Sequence, residues 1–181
     1  MRSSGAASVH PIGGPGRPRR WAELPSRLTT VGTVDGVAFV DDSLSTNVLP
    51  TLAALDAFPG RRVALIVGGQ DRGIDYAPLA AGVRSRTAPT RVLTLPDSGP
   101  RISAAFAAAA AAAATADEGF AGAVNCPDLE AAVAAAFAWA RPDGIVLLSP
   151  AAPSFGRFRD YRDRGDQFAA AMRACAGRAT A

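Results

Sequence analysis

Apolar residues fall along this chain in short dense runs, separated by polar stretches that contain glycine or proline. "RRVALIVGG" (61–69) and "DGIVLLS" (143–149) are continuous apolar runs, the mark of strands buried on both faces. "TRVLTL" (90–95) reads as another strand and "GAVNC" (122–126) as a short one. "RLTTVGTVDGVAFVDDS" reads as two short strands about Asp35-Gly36, a hairpin signal. Helices are predicted between them. One covers roughly 48–58, capped by Asn47 or Thr46 and ended by Phe58-Pro59-Gly60. Others cover 77–85, an alanine-rich 100–116, and Pro127-Asp128 to Ala140; a last one is opened by Gly165-Asp166 and ends near Gly177.

Strand and helix therefore alternate, and the loops after strand carboxyl ends are polar. The pattern predicts an α/β fold: an open, mostly parallel sheet covered by helices. Ligands of such sheets sit outside the carboxyl ends of the strands. Three loops then carry the candidate chemistry: 42–47, 68–76 and 149–162. In "DDSLSTN" a carboxylate and several hydroxyls precede a helix, which suits a phosphate, a ribose or a carboxylate, or plain N-capping. In "VGGQDRGIDY", Gly68 and Gly69 allow close backbone approach. Arg72 is either a two-bond clamp for a carboxylate or phosphate or a solvated turn residue. In "LLSPAAPSFGRFRDYRDRGDQF", Ser154, Phe155, Arg157, Tyr161 and Arg164 either line an anion pocket or cover the sheet edge.

The length, 181 residues, fits one domain with a sizeable core, and 49% hydrophobic against 19% charged residues fits a folded chain. Every basic residue is arginine, and the net charge of +3 reads as the composition of a GC-rich genome. "RPRR" (17–20) and "RFRDYRDR" (157–164) are the densest basic clusters, and Asp160 and Asp163 offset the second; no nucleic-acid partner is expected. No apolar run is long enough for a membrane span. Cys126 and Cys175 lack metal-ligand spacing, and His10 is the only histidine, so no metal site is expected. Two unpaired cysteines fit a reducing cytoplasm. Residues 1–20, without an apolar core, read as a disordered leader rather than a secretory signal, and the folded domain as 21–178. The G-x-x-x-x-G-K-[ST] phosphate loop is absent.

The three loops, in this order, resemble the C-terminal domain of the Mur ligase family. Its glutamate-adding members show D-S-K-[AS]-T-N, then G-G-x-x-[KR], then L-L-S-P-A-x-x-S-[FL]-D-x-[FY]-x-x-[FY]-x-x-R-G-x-x-F. Here these read Asp42 to Asn47, Gly68 to Arg72, and Leu147 to Phe168, while "LPSR" (24–27) is similar to the family's L-P-H-R. The resemblance implies a Rossmann-like domain with helices on both faces of its sheet. It implies that Thr46, Arg72, Ser154, Phe155 and Tyr161 hold the incoming glutamate, and that Arg27, Asp42 and Asn47 approach the nucleotide. It implies further an ATP- and Mg2+-dependent ligase acting on UDP-N-acetylmuramoyl-L-alanine in cytoplasmic peptidoglycan synthesis. There a phosphorylated carboxylate is attacked by the glutamate amine as the C-terminal domain closes.

The chain departs from the family pattern at Leu44 for lysine, Ser26 for histidine, Gly156 for aspartate and Arg72 for the commoner lysine. "DSLST" and "QDRG" are similar to the variant that adds L-glutamate, so D- and L-glutamate both stay open, with a lean to the second. The UDP-substrate and ATPase domains of a complete ligase have no counterpart here. The chain alone is expected to bind no ATP or Mg2+ tightly and to be inactive by itself. The alternative is a stand-alone ligand-binding or regulatory module derived from this domain, and a folate-type polyglutamate ligase is a third possibility.

Overall fold

The computed structural model describes residues 26–113 and 118–179. The expected leader, the first residues of the expected domain (21–25) and the last expected residues of the alanine-rich helix (114–116) lie outside them.

Among the described residues, eleven elements follow in chain order. They are β1 (Thr29–Val34), β2 (Val37–Asp41), α1 (Val48–Asp56), β3 (Val63–Val67), α2 (Ala77–Arg84) and β4 (Thr90–Thr94). Then come α3 (Gly99–Ala112), β5 (Phe120–Asn125), α4 (Leu129–Ala140), β6 (Ile145–Leu148) and α5 (Tyr161–Ala179). The six strands form one sheet in the order β1-β2-β6-β3-β4-β5. β1 is antiparallel to β2, and the other neighbours run parallel. Asp35 and Gly36 both take positive φ, 46° and 81°, in the turn between β1 and β2. That is the turn an Asp-Gly pair favours, because its twist matches that of the strands.

The apolar runs occupy the middle of the sheet. Every residue of β3 and of β6 is buried, as expected where helices cover both faces. On one face Val40, Leu65 and Ile145 pack with Leu55, Leu79 and Phe106 of α1, α2 and α3. On the other, Phe39, Ile66 and Val146 pack with Val133 and Phe137 of α4 and Phe168 of α5. The rings of Phe137 and Phe168 lie 5.9 and 6.0 Å from that of Phe39.

Helix starts follow their caps. Asn47 is extended at φ −146°, and its Oδ1 accepts from the Val48 amide at 2.7 Å. Asp128 caps α4 through the Ala131 amide at 2.8 Å. Each such cap contributes about 1 kcal/mol.

The last helix departs from expectation: it opens at Tyr161, ahead of Gly165. Asp160 caps it, accepting from the Asp163 amide at 2.9 Å, while the Asp163 carboxylate accepts from the Arg159 amide at 3.0 Å. That amide bond, and then the Arg159 side chain, hold the Asp163 carboxyl below its usual range. Gly165 is therefore a helix residue, not a helix opener. A β-carbon on it would overlap Asp41 Oδ2 and crowd Ser26, so the glycine lets α5 lie close against the end of β2.

β6 sits between β2 and β3, and the chain leaves β2 and β3 towards one face but β6 towards the other. The polar loops after these three strands are thereby brought together at the switch point of the sheet.

Candidate functional site

The rim at the carboxyl ends of the strands is held by hydrogen bonds that run between the loops. Loop 1 (42–47) meets loop 3 (149–160) through the Ala151 amide, which donates to Ser45 O at 3.0 Å. It also meets it through Ser149 Oγ, which donates to Asp42 Oδ2 at 2.6 Å. Loop 2 (68–76) meets loop 3 through the Gly68 amide to Pro150 O, 2.7 Å, and the Gln70 amide to Pro153 O, 2.9 Å. The three loops named from the sequence thus form one continuous rim.

Within loop 1 the two aspartates act on the backbone. Asp41 Oδ1 accepts from the Ser43 amide at 3.0 Å and from Ser43 Oγ at 2.6 Å. Asp42 is 2% exposed. Its Oδ1 accepts from the Leu28 amide at 3.3 Å and its Oδ2 takes the Ser149 hydroxyl. Asp42, expected to approach a nucleotide, stands here behind the rim and fixes the loop. Thr46 and Asn47 are exposed in front of it, and Asn47 also caps α1. Arg27 is exposed where the chain enters β1. Leu44, in the place of the family's lysine, is half-buried, and its amide donates to Ser26 O at 3.0 Å.

Arg72 is exposed, and its Nε donates to Gln70 Oε1 at 3.0 Å. Its loop is held from the side by Asp71, which accepts from the Gly73 amide at 2.9 Å and pairs with Arg101. The Gly73 amide, then Arg101, hold the Asp71 carboxyl below its usual range. Ser154 is buried beside the exposed Phe155, and Tyr161 is half-buried as the first residue of α5. The sequence placed Tyr161 on a loop; the helix start gives it a fixed direction instead.

One part of the rim escaped the sequence reading and a second was misplaced by it. The loop after β4 belongs to it: the Gly69 amide donates to Ser98 Oγ at 3.0 Å, and the Ser98 amide donates back to Gly69 O at 3.1 Å. "PDSG" after a buried strand was the available signal, since that turn had to fall at the same edge. Arg157, expected as a possible anion ligand, instead bonds Asp97 of this loop at 3.3 Å. The second is Arg164, placed on a loop by the sequence but fully buried in α5. Burial lowers its guanidinium to about 10, against the pull of Asp41. A cleft of about 290 Å3 lies beside this part of the rim, lined among others by Gly69, Leu95, Arg157, Phe158 and Gln167.

The rim leaves the Arg72 guanidinium, the Thr46 side chain and the Phe155 ring exposed, groups that suit a small carboxylate ligand. Among the described residues no three or more His, Cys, Asp or Glu side chains converge to hold a metal ion. With no lysine in the chain, these residues alone do not fit a magnesium-bound triphosphate. No helix among the described residues is long and apolar enough to cross a membrane. Both cysteines are buried.

A family model described as "Mur ligase, glutamate ligase domain" matches residues 26–152. A UDP-N-acetylmuramoyl-L-alanine–L-glutamate ligase of a Micromonospora species is 45% identical over 154 residues, covering 85% of this chain and 32% of that protein. The ligase of the same name from Xanthomonas euvesicatoria is 44% identical over 165 residues, covering 91% of this chain and 33% of its own length. The chain therefore spans about a third of the curated relatives it matches. Among solved structures, the folylpolyglutamate synthase of Mycobacterium tuberculosis with ADP and AMPPCP superposes at a TM-score of 0.51 and 16% identity. That match covers 87% of this chain and 33% of the other. The MurF ligase of Thermotoga maritima with ADP gives 0.51 and 18%, covering 86% and 33%. Both are likenesses of fold.

Proposed function

The chain belongs to the Mur ligase family as a glutamate ligase domain, and we propose that it delivers L-glutamate in an ATP-dependent ligase acting on UDP-N-acetylmuramoyl-L-alanine. The observation that carries this reading is the rim itself: three hydrogen-bonded loops that leave Thr46, Arg72 and Phe155 exposed on it. Arg72 clamps one glutamate carboxylate. Thr46, Ser154 and Tyr161 hold its other polar groups, and Phe155 walls the site. L-Glutamate is favoured over D-glutamate because the similar relatives are named L-glutamate ligases, in line with "DSLST" and "QDRG". ATP and Mg2+ are held mainly by the parts of a complete ligase beyond this chain. Arg27 and Asn47 face the nucleotide, and Asp42 ties loop 1 to the entry of β1 through the Leu28 amide. A UDP-linked substrate sets the reaction in the cytoplasm, early in cell-wall synthesis.

A second reading, a ligand-binding or regulatory module without catalysis, is favoured by Leu44 and Gly156, which stand where the family carries a cation and an acid.

A chimera separates the two. Residues 26–178 replace the matching third of the Micromonospora relative. The ligase reading expects ADP release that requires both UDP-N-acetylmuramoyl-L-alanine and L-glutamate. A folded chimera that stays inert with both substrates supports the module instead.

A further inference from the structure

Arg164 is a fully buried charge that the proposed function does not use. Its Nη2 donates to Ser43 O at 2.8 Å and its Nη1 to Ala152 O at 3.2 Å. Phe158 lies 5.9 Å from the guanidinium, and Nε has no partner. Among the described residues no carboxylate lies within ion-pair distance of it, although Asp41 acts on it from further away.

A buried arginine without a paired carboxylate is a poor device for stability alone, since an apolar side chain of similar size serves better there. What only a planar guanidinium does is donate in two fixed directions at once. Here the acceptors belong to different loops. Ser43 lies three residues before Thr46, and Ala152 two before Ser154. The second loop is drawn in as well, because the position of a β-carbon on Gly69 falls against Arg164 Nη1.

We propose that Arg164 is a positioning residue for glutamate, fixing the separation of Thr46 and Ser154 by bridging the backbones that carry them. The proposal rests on the glutamate reading above. Its test has two arms, so that the two can fail separately. Arg164→Lys keeps the charge but offers one ammonium in place of the two-directional fork; Arg164→Met removes both.

In the 181-residue chain, amide exchange is followed at Ser45 and Ala151, which report bonds within loop 1 and between loops 1 and 3. Both variants are expected to exchange about tenfold faster there, with β3 and β6 still protected. In the chimera, the KM for L-glutamate is expected to rise about tenfold, while kcat and the KM for ATP stay near wild type. Unchanged exchange in the two loops overturns the proposal. So does faster exchange with an unchanged KM for glutamate, which leaves a clamp without a role in binding. Should Arg164→Met lose protection throughout, Arg164→Lys decides; global loss in both makes Arg164 a folding residue and overturns the positioning role. If the wild-type chimera ignores glutamate, the glutamate reading fails, while the exchange arm still decides the clamp.

Discussion

Arg72→Ala is expected to raise the KM for glutamate about a hundredfold in an active ligase, because two charge-assisted hydrogen bonds to one carboxylate are lost together. The same change should leave the fold untouched. Arg72 is exposed, and among the described residues its hydrogen bond is to the side chain of Gln70. A surface substitution of that kind shifts stability by less than about 0.5 kcal/mol. Arg72→Lys separates charge from geometry, since lysine keeps the charge and loses the fork. It should recover part of the affinity, in keeping with the lysine the family commonly carries here. Steady-state kinetics with glutamate as the varied substrate, beside a thermal melt, checks both halves. An unchanged KM for glutamate in the alanine variant would remove Arg72 from the site.

Gly69→Ala is expected to damage stability and binding together. Gly69 is buried at the end of β3, with its amide and carbonyl both engaged by Ser98. A β-carbon there would overlap Pro153 O, a backbone atom that also accepts the Gln70 amide. Backbone cannot step aside as a flexible side chain can, so loops 2 and 3 must separate. Overpacking of this kind costs about 2–3 kcal/mol, a fall of about 5–10 °C in Tm for a chain of this size. The KM for glutamate should rise as well, because Ser154 follows Pro153. Gly177→Ala is the control: among the described residues nothing beyond its own helix turn and chain neighbours lies within 4 Å of the added carbon, and the change falls inside α5. Melts of the two variants side by side test the contrast; equal Tm values would mean that the contact at Pro153 is relieved without cost.

The central sheet was legible because β3 and β6 are buried on both faces and so spell continuous apolar runs. The turn at Asp35-Gly36 and the cap at Asn47 were legible because each rests on a local backbone demand that few residues meet. The start of α5 was not. Gly165-Asp166 reads as a helix opening, yet Gly165 lies inside the helix and is glycine because Asp41 leaves no room for a side chain; that reason is tertiary and invisible in the local sequence. The place of Arg164 did have a signal. Arg164, Phe168, Met172 and Cys175 recur at helical spacing and all face inward, so the arginine belonged to an apolar stripe. Charge obscured it, since arginine is seldom buried without a paired carboxylate. The loop after β4 was missed because its tie to the rim is made by Ser98, a residue type too common in turns to stand out. At the candidate site, the choice of loops was legible from fold logic alone. The roles of single residues came from the resemblance, and Asp42 illustrates the gap: its sequence position is that of a ligand-facing acid, while its oxygens serve Leu28 and Ser149.

The measurement that tests the central claim most directly is a competition in the chimeric ligase. It is supplied with ATP, UDP-N-acetylmuramoyl-L-alanine and an equimolar mixture of L- and D-glutamate carrying different isotopic labels. The mass of the amide product then reports which enantiomer was added. The expected product carries the L-glutamate label, and turnover is lost in the Arg72→Ala variant at ordinary glutamate concentrations. Product carrying the D-glutamate label, or turnover indifferent to Arg72, would contradict it.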